Sequence, residues 1–251
     1  MRSIYQEVEY IFILYDEITG RTVNRNMFKV YNSLGKQAFY KGSGIYIFIS
    51  GKDSKYMVTI EGNGYQTQRL FMDEKNRGGI YRIWMMPSQK NEKLSQMTLL
   101  TGKAERGLSI KVICGGMEQC RLLGRLQPGY TCVNLYHLQH STMEGKELRI
   151  ENTEMGYCED ILLGESFVSQ EKGYKYQLIR PVQHKYEAGH TRIYKTATVL
   201  ADEQGRFFAA FRDISDMGCE CIIETRYGVQ KTLLQYRQIC RADIEEKTKE
   251  E

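Results

Sequence analysis

A regular alternation of apolar and polar residues over residues 10–72 constrains this chain more than any other feature. The alternation has a period of two in residues 10–15, 45–49 and 56–60, which is typical of strands that bury one face. Asp, Gly and Ser cluster between these segments, chiefly at residues 16–20, 42–44 and 51–54, and they supply turn chemistry. The strands recur about every 10–12 residues, a spacing that predicts a small β-sandwich.

The second half of the chain shows the same strand pattern after a polar segment. Residues 80–86 contain the only Trp, Trp84, which we expect to pack in a core. Further strands are predicted at residues 108–114, 131–138, 148–150, 160–163 and 175–179, and two hairpins at residues 192–211 and 219–236. The pattern therefore predicts an all-β chain with two β-sandwich domains in tandem, of the transthyretin or immunoglobulin type. The domains are residues 1–88 and 97–243, with a linker at 89–96 and a polar tail at 244–251.

Composition narrows the function classes. A length of 251 residues allows each half to close a core of its own. The net charge of +4 is mild and its basic residues alternate with acids, so nucleic acid is not an expected partner. No apolar run suits a membrane span, and residues 1–10, MRSIYQEVEY, lack the apolar core of a signal peptide. The chain has seven Cys, and an odd number without a secretion signal favours reduced thiols. We therefore expect a cytoplasmic protein, which could also be released as part of a particle.

Three ordered motifs carry a family resemblance. Residues 16–23, DEITGRTV, resemble the D-x-x-T-G-x-P-V opening of carboxypeptidase regulatory-like domains, which are transthyretin-like β-sandwiches. Residues 44–48, GIYIF, and residues 56–65, YMVTIEGNGY, are similar to the G-x-Y-x-F strand and the Y-x-V-x-V-x-x-x-G-Y signature of that family. Thr22 departs from the usual Pro, and residues 50–54 replace the usual L-P-P-G turn. The resemblance implies a seven-stranded module without catalytic residues of its own.

The nearest approach to a metal motif is Cys219-Glu220-Cys221. Zinc sites normally separate paired Cys ligands by two to four residues, whereas a one-residue gap in a strand places both side chains on one face, with their Cα atoms about 6–7 Å apart. His137 and His140, or Cys240, would have to complete a site. Buried thiols are the favoured interpretation, so the sequence predicts no metal and no other cofactor.

The remaining candidates for catalysis are also weak. His137 and His140 follow a predicted strand, and His184 and His190 lie in a loop-rich stretch. A general base requires a partner and a substrate pocket, and the sequence supplies neither. The chain has no nucleophile elbow, phosphate-binding loop or zinc-protease motif. We therefore predict that the protein is not an enzyme.

Tyr46 and Phe48 are the candidate interface residues. They share one face of the strand at residues 45–49, and the three Ile share the other. If the Ile residues face the core, the two aromatic rings face outward as a platform for a protein or a ligand. With 18 Tyr in the chain, a carbohydrate- or peptide-binding sandwich is the alternative.

The leading prediction is a structural or adaptor component of a multi-subunit assembly. Residues 173–178, GYKYQL, and residues 180–189, RPVQHKYEAG, resemble β modules of phage-tail-like contractile injection particles. That resemblance implies protein partners within such a particle.

Overall fold

The computed structural model describes residues 7–49, 55–115, 120–137, 142–168, 173–212 and 214–244. The chain forms two compact units, Met1–Lys93 and Leu94–Glu251. Their division falls within the residues that the sequence pattern assigns to a linker. The described residues contain strands and short 3-10 turns but no α-helix; the turns are Arg25–Met27, Glu74–Asn76, Glu92–Gln96 and Ala188–His190. The chain is therefore all-β, as predicted.

Unit 1 contains two β-sheets. In chain order its strands are β1 (Val8–Asp16), β2 (Arg21–Thr22), β3 (Phe28–Asn32), β4 (Phe39–Gly42), β5 (Ile45–Ile49), β6 (Tyr56–Gly62), β7 (Gln68–Met72) and β8 (Ile80–Met85). In the larger sheet, β1 pairs antiparallel with β5 and parallel with β8, β5 continues to β4, and β2 pairs with the end of β1. The smaller sheet has the order β3-β6-β7.

The two sheets of unit 1 enclose one hydrophobic core. Tyr10, Phe12 and Leu14 alternate inward from β1 and pack against Val58 and Ile60 of β6, all nearly inaccessible to solvent. Full burial of such side chains contributes about 1.5–3 kcal/mol each. The residues that repeat with a period of two in the sequence are therefore the inward-facing residues of a β-sandwich.

Unit 2 contains fourteen described strands. They are β9 (Thr98–Lys103), β10 (Ser109–Cys114), β11 (Arg121–Leu122), β12 (Arg125–Leu126), β13 (Cys132–Tyr136), β14 (Glu147–Asn152), β15 (Cys158–Val168), β16 (Tyr174–Leu178), β17 (Tyr186–Glu187), β18 (Thr191–Leu200), β19 (Arg206–Phe211), β20 (Cys219–Thr225), β21 (Gly228–Leu234) and β22 (Ile239–Arg241). A nine-stranded sheet has the order β11-β13-β16-β15-β14-β18-β10-β20-β21, a three-stranded sheet has the order β19-β9-β22, and β12 pairs with β17.

The nine-stranded sheet carries two hydrophobic cores. Val112 of β10 and Ile223 of β20 pack with the three-stranded sheet, including Leu100 of β9. Ile150 of β14 and Ile193 of β18, which are register partners, belong to a second core that β11, β13, β15 and β16 surround. β11 lies against β18, so this part of the sheet curls round its core. Strand β18 contributes to both cores and joins them.

The structure corrects the predicted hairpin at residues 192–211. The two strands form, as β18 and β19, but they belong to different sheets. The turn between them is held by Asp202, whose side chain accepts hydrogen bonds from the backbone N–H groups of Gln204 and Arg206. Apolar residues of both strands bury in the same core, so they face each other across it and do not pair edge to edge. The predicted hairpin of β20 and β21 is confirmed.

Three sequence predictions fall outside the described residues. They concern the turn at residues 50–54, His140, and residues 245–251 of the polar tail.

Candidate interaction surface

The outward face of the larger sheet in unit 1 is built from isoleucines. Ile11 and Ile13 of β1 lie opposite Ile47 and Ile45 of β5 in the antiparallel register, and Ile49 follows on the same face. All five are only half-buried, because the alternate positions of both strands fill the core. Neither residues 10–15 nor residues 45–49 contain a charged side chain. A continuous aliphatic surface therefore lies on the centre of this sheet.

Two exposed apolar residues extend this surface at its sides. Phe39 of β4 lies opposite Ile47 and is 56% exposed, and Ile80 of β8 lies opposite Ile11 and is 45% exposed. Below, "isoleucine face" denotes Ile11, Ile13, Phe39, Ile45, Ile47, Ile49 and Ile80. Contiguous apolar patches of this kind mark interaction sites on soluble proteins.

The isoleucine face is flanked by β4 and β8, and β4 has an open edge. Among the described residues β4 pairs only with β5, and β8 pairs only with β1. On β8, Trp84 stacks on Tyr15 with ring centroids 4.9 Å apart. An open strand edge presents unpaired backbone donors and acceptors to a partner. A partner on this face could therefore combine apolar contact with backbone hydrogen bonds.

The structure reverses the predicted orientation of Tyr46 and Phe48. Both are buried in the core of unit 1, and the isoleucines of β5 face outward. All five residues of β5 are apolar, so alternation alone does not choose a face. The larger rings fill the space between the sheets: Phe48 meets Phe12 edge to face with centroids 6.0 Å apart. The Tyr46 hydroxyl donates to the Phe28 carbonyl oxygen at 3.3 Å, and burial raises the pKa of Tyr46 to about 12.

A second surface is a groove of about 1540 Å³ in unit 2. It runs along the outer side of the nine-stranded sheet at β10, β14, β18 and β20, and it is also bordered by β11 and β13. Ile113 and Ile222, which are register partners, form an apolar floor. Two tyrosines, Tyr136 and Tyr194, line its walls together with Arg149. The groove thus combines aromatic faces with a fixed guanidinium.

A charge network holds Arg149 in place. Its guanidinium donates to Asp160 Oδ1 at 2.7 Å and to Glu224 Oε2 at 2.7 Å, and Lys111 Nζ lies 2.5 Å from Asp160 Oδ2. The hydrogen bonds with Glu224, and those with Asp160, raise the pKa of Arg149 above its usual range. For Asp160, burial favours the neutral acid, but the hydrogen bonds from Arg149 and Lys111 outweigh it and lower the pKa of that carboxyl. These carboxylates are therefore committed to ion pairs rather than to acid–base chemistry.

His137, which the sequence analysis weighed as a weak candidate for catalysis, has a structural role in the fold. It is buried, its Nε2 lies 2.8 Å from the Tyr176 hydroxyl, and its ring stacks on Tyr174 at 4.6 Å between centroids. The Tyr176 hydroxyl also accepts a hydrogen bond from the Met143 backbone N–H. A histidine held this way is a packing element of the second core.

The other two described histidines are likewise held by neighbouring side chains. The ring of His184 stacks on Tyr157 with centroids 4.6 Å apart, and His190 Nδ1 lies 3.9 Å from Glu154 Oε2. None of the described histidines lines the groove. Within the described ranges, no group of three or more His, Cys, Asp or Glu residues is arranged to hold a metal ion. The described histidines thus supply no acid–base group to the groove.

The two cysteines of the Cys-Glu-Cys motif lie on β20. Cys221 is buried in the first core, and Cys219 is partly exposed beside it. The sequence pattern missed their neighbour Cys114, the last residue of β10 and the register partner of Cys221. Cys240 accepts a hydrogen bond from the Gln235 backbone N–H at 3.3 Å. Strand pairing, which no local sequence pattern encodes, brings these thiols together.

Comparisons with known proteins give matches among solved structures only. No protein-family model and no curated protein sequence matches the chain. Among solved structures, the shaft pilin SpaA from Lactobacillus rhamnosus GG matches in a single-residue mutant form, with 9% identity and a TM-score of 0.24 over 94% of this chain and 96% of the pilin. The same pilin without the substitution gives 7% identity and a TM-score of 0.24 over 94% and 97% of the two chains. The Bacillus anthracis TIE protein gives 9% identity and a TM-score of 0.24 over 96% of this chain and 51% of that one. At such TM-scores the function has to be argued from the chain's own surfaces.

The described part of the chain contains no helix with the length and apolarity needed to cross a membrane.

Proposed function

We propose that this protein is a non-catalytic structural or adaptor component of a larger assembly, and that it docks on another protein subunit through the isoleucine face of unit 1. The isoleucine face is the observation that carries the proposal. Removing an aliphatic sheet surface of this kind from water contributes about 25 cal/mol per Å² of apolar area, before the entropic cost of association is subtracted. The centre of the face, on β1 and β5, is uncharged and fits a partner whose contact surface is largely apolar; Arg82 of β8 lies beside it, opposite Ile13.

The finer parts of this proposal rest on the sequence motifs. We propose that unit 1 is a carboxypeptidase regulatory-like module, since its first motif spans the turn from β1 to β2 and the other two lie on β5 and β6 of a two-sheet sandwich. We further propose a cytoplasmic protein of a phage-tail-like contractile injection particle, in which such modules act as spacers. Support for the particle comes from the short motif at residues 173–189 alone.

The test compares the tagged wild-type protein with two charge variants during purification from the native cells. Ile47→Glu places a charge at the centre of the isoleucine face. Met57→Glu is the matched control, because Met57 is 41% exposed on β6 in the other sheet. Both variants should keep the fluorescence of folded Trp84.

We expect the wild type and Met57→Glu to elute with stoichiometric subunits of one assembly, visible as particles by electron microscopy, and Ile47→Glu to elute alone. Elution of the wild type as a lone monomer, or equal recovery of partners with all three proteins, would refute the proposal.

A second candidate function is ligand binding in the groove of unit 2. The pair of tyrosines beside Arg149 suits a carbohydrate or an extended peptide, because tyrosine combines a stacking face with a hydroxyl. Tyr136→Ala should abolish binding to any glycan or peptide that an array identifies. Tyr130→Ala is the matched control, since Tyr130 is 49% exposed and does not line the groove. Equal binding by both variants would place the ligand elsewhere.

A further inference from the structure

The groove of unit 2 is lined by more basic than acidic side chains. Its four basic and two acidic residues are Arg121, Arg149, Arg192, Lys231, Glu151 and Glu220. No Asp, Asn, Gln or Trp is among the described residues that line it. The polar lining is therefore weighted toward hydrogen-bond donors, and a ligand that supplies acceptors, above all a carboxylate, complements it.

Two of the four basic residues are already paired with carboxylates. Arg149 is held in the charge network described above, and Lys231 Nζ lies 2.9 Å from Glu220 Oε1. Within the described ranges, no ion pair engages Arg121 or Arg192, and both side chains are exposed. The carboxylate of a ligand can therefore pair with these two arginines without displacing an existing ion pair.

The two arginines come from strands that lie against each other. Arg121 is on β11 and Arg192 is on β18. The register partner of Arg121 is Tyr136, which also lines the groove. The register partner of Arg192 is Glu151, whose carboxylate accepts a hydrogen bond from the Tyr194 hydroxyl. The groove thus has a basic and aromatic end where β11 meets β18, with Glu151 as an opposing charge.

The apolar floor of the groove lies farther along β18. The register partner of Ile113 on β18 is Thr196, four residues after Arg192. At about 3.3 Å per residue, Arg192 and the floor at Ile113 are separated by roughly 13 Å along the strand. An extended ligand chain covers that distance in about four residues, and two residues with this separation point to the same side of the chain.

We propose that the groove binds an extended acidic peptide of a protein partner. One carboxylate side chain of the peptide pairs with Arg121 and Arg192, as in other arginine sites for acidic motifs, and an apolar side chain four residues away rests on the floor at Ile113. This inference rests on the groove-binding function proposed above and selects the peptide from its two ligand classes. Sugar hydroxyls donate as well as accept, whereas both carboxylates of the groove, Glu151 and Glu220, already accept from other side chains.

The experiment selects ligands for the full-length chain from a displayed library of random nonapeptides, beside a glycan array. We expect the bound peptides to be enriched in Asp or Glu with Leu, Ile or Val four residues away. Synthetic peptides with blocked termini then measure both requirements by fluorescence anisotropy. Replacing the acidic residue by its amide should weaken binding about tenfold or more, because a charged hydrogen bond is lost. A separation of three residues should also weaken binding, because the apolar side chain then points away from the floor.

Charge reversal in the protein assigns the contact to the two arginines. Arg121→Glu and Arg192→Glu should each weaken binding of the acidic peptide about tenfold or more. Arg180→Glu is the matched control, because Arg180 is exposed and does not line the groove. Glu151→Gln should strengthen binding about two- to fivefold, since it removes the negative charge opposite Arg192. Circular dichroism checks that each variant is folded.

Selected peptides without an acidic preference, or equal affinities of Arg121→Glu and Arg180→Glu for the acidic peptide, would overturn the proposal. A glycan that binds the wild type and is lost in Tyr136→Ala would also overturn it, but groove binding itself would stand. If neither library yields a ligand, both the acidic peptide and the groove-binding function are wrong. If a charge-reversal variant does not fold, the amide and spacing peptides decide with the wild-type protein.

Discussion

Replacing Phe48 by alanine tests which face of β5 forms the core. Phe48 is 3% exposed and packs edge to face on Phe12. Truncating a buried phenylalanine costs about 3–5 kcal/mol, because transfer energy is lost and a cavity remains. With a urea m-value of roughly 1.5 kcal/mol/M for a unit of this size, the unfolding midpoint of unit 1 should fall by roughly 2–3 M.

The matched control is Phe39→Ala on the adjacent strand. The same side chain is removed, but Phe39 is 56% exposed and lies on the isoleucine face opposite Ile47. Only a cross-strand contact is lost, so we expect a cost below about 1 kcal/mol. The chain has a single Trp, Trp84 of unit 1, so tryptophan fluorescence reports the unfolding of unit 1 without a signal from unit 2. Equal midpoints for the two variants, or a larger loss for Phe39→Ala, would refute the assigned faces.

Three further perturbations follow from the contacts described above. Arg149→Met should destabilise unit 2 by about 1–3 kcal/mol at pH 7, because it leaves carboxylates without their shared cation. The pKa of Asp160 is lowered on folding despite the opposing effect of burial, so its stabilisation is present above its unfolded pKa of about 4 and is lost as pH falls. Circular dichroism in urea should thus show the variant and wild type converging in acid. Burial raises the pKa of Tyr46 to about 12, above its unfolded value of about 10. The contribution of Tyr46 to the free energy of unfolding is therefore complete below about pH 10 and is lost as the pH rises toward 12. In Tyr46→Phe, unfolding followed by tryptophan fluorescence should show a smaller loss of stability over this pH range. Gly44→Ala should destabilise unit 1 more than Gly42→Ala. Both glycines have a positive φ, but only at Gly44 would an added Cβ come within 2.6 Å of a backbone oxygen. The urea midpoints of the two variants measure this difference.

The strands of the fold could be predicted from the sequence, and some of their partners could not. Alternation located β10, β18, β20 and β21 to within a residue or two. It located only part of β15, because Gly164 interrupts the pattern at a bulge where the register shifts between Leu163 and Ser166. The pairing of β18 with β14 and β10, instead of β19, depends on burial across the whole unit. The local sequence does not determine that burial.

For the candidate site, the sequence predicts where the strands lie but not which face of each strand is buried. The sequence predicts β5 correctly, but its alternation is between aliphatic and aromatic residues, all apolar. Such an alternation does not determine which side is buried, and the predicted outward orientation of Tyr46 and Phe48 is wrong. For the thiols, a one-residue spacing did place Cys219 and Cys221 on one face of β20. The position of Cys114 opposite Cys221 depends on the pairing of β10 with β20.

Strand β9 has consequences for the synthesis of this protein. It pairs in parallel with β22, and the Thr98 hydroxyl donates to the Gln235 carbonyl oxygen 137 residues away. At about 5–20 residues per second, the ribosome delivers that part of the chain roughly 7–27 s after β9. Until β22 is synthesised, the three-stranded sheet that contributes Leu100 to the first core lacks one of its strands. Unit 1, whose strands end at Met85, has no such dependence on late residues, so the nascent chain should bind chaperones through unit 2 after unit 1 is already folded.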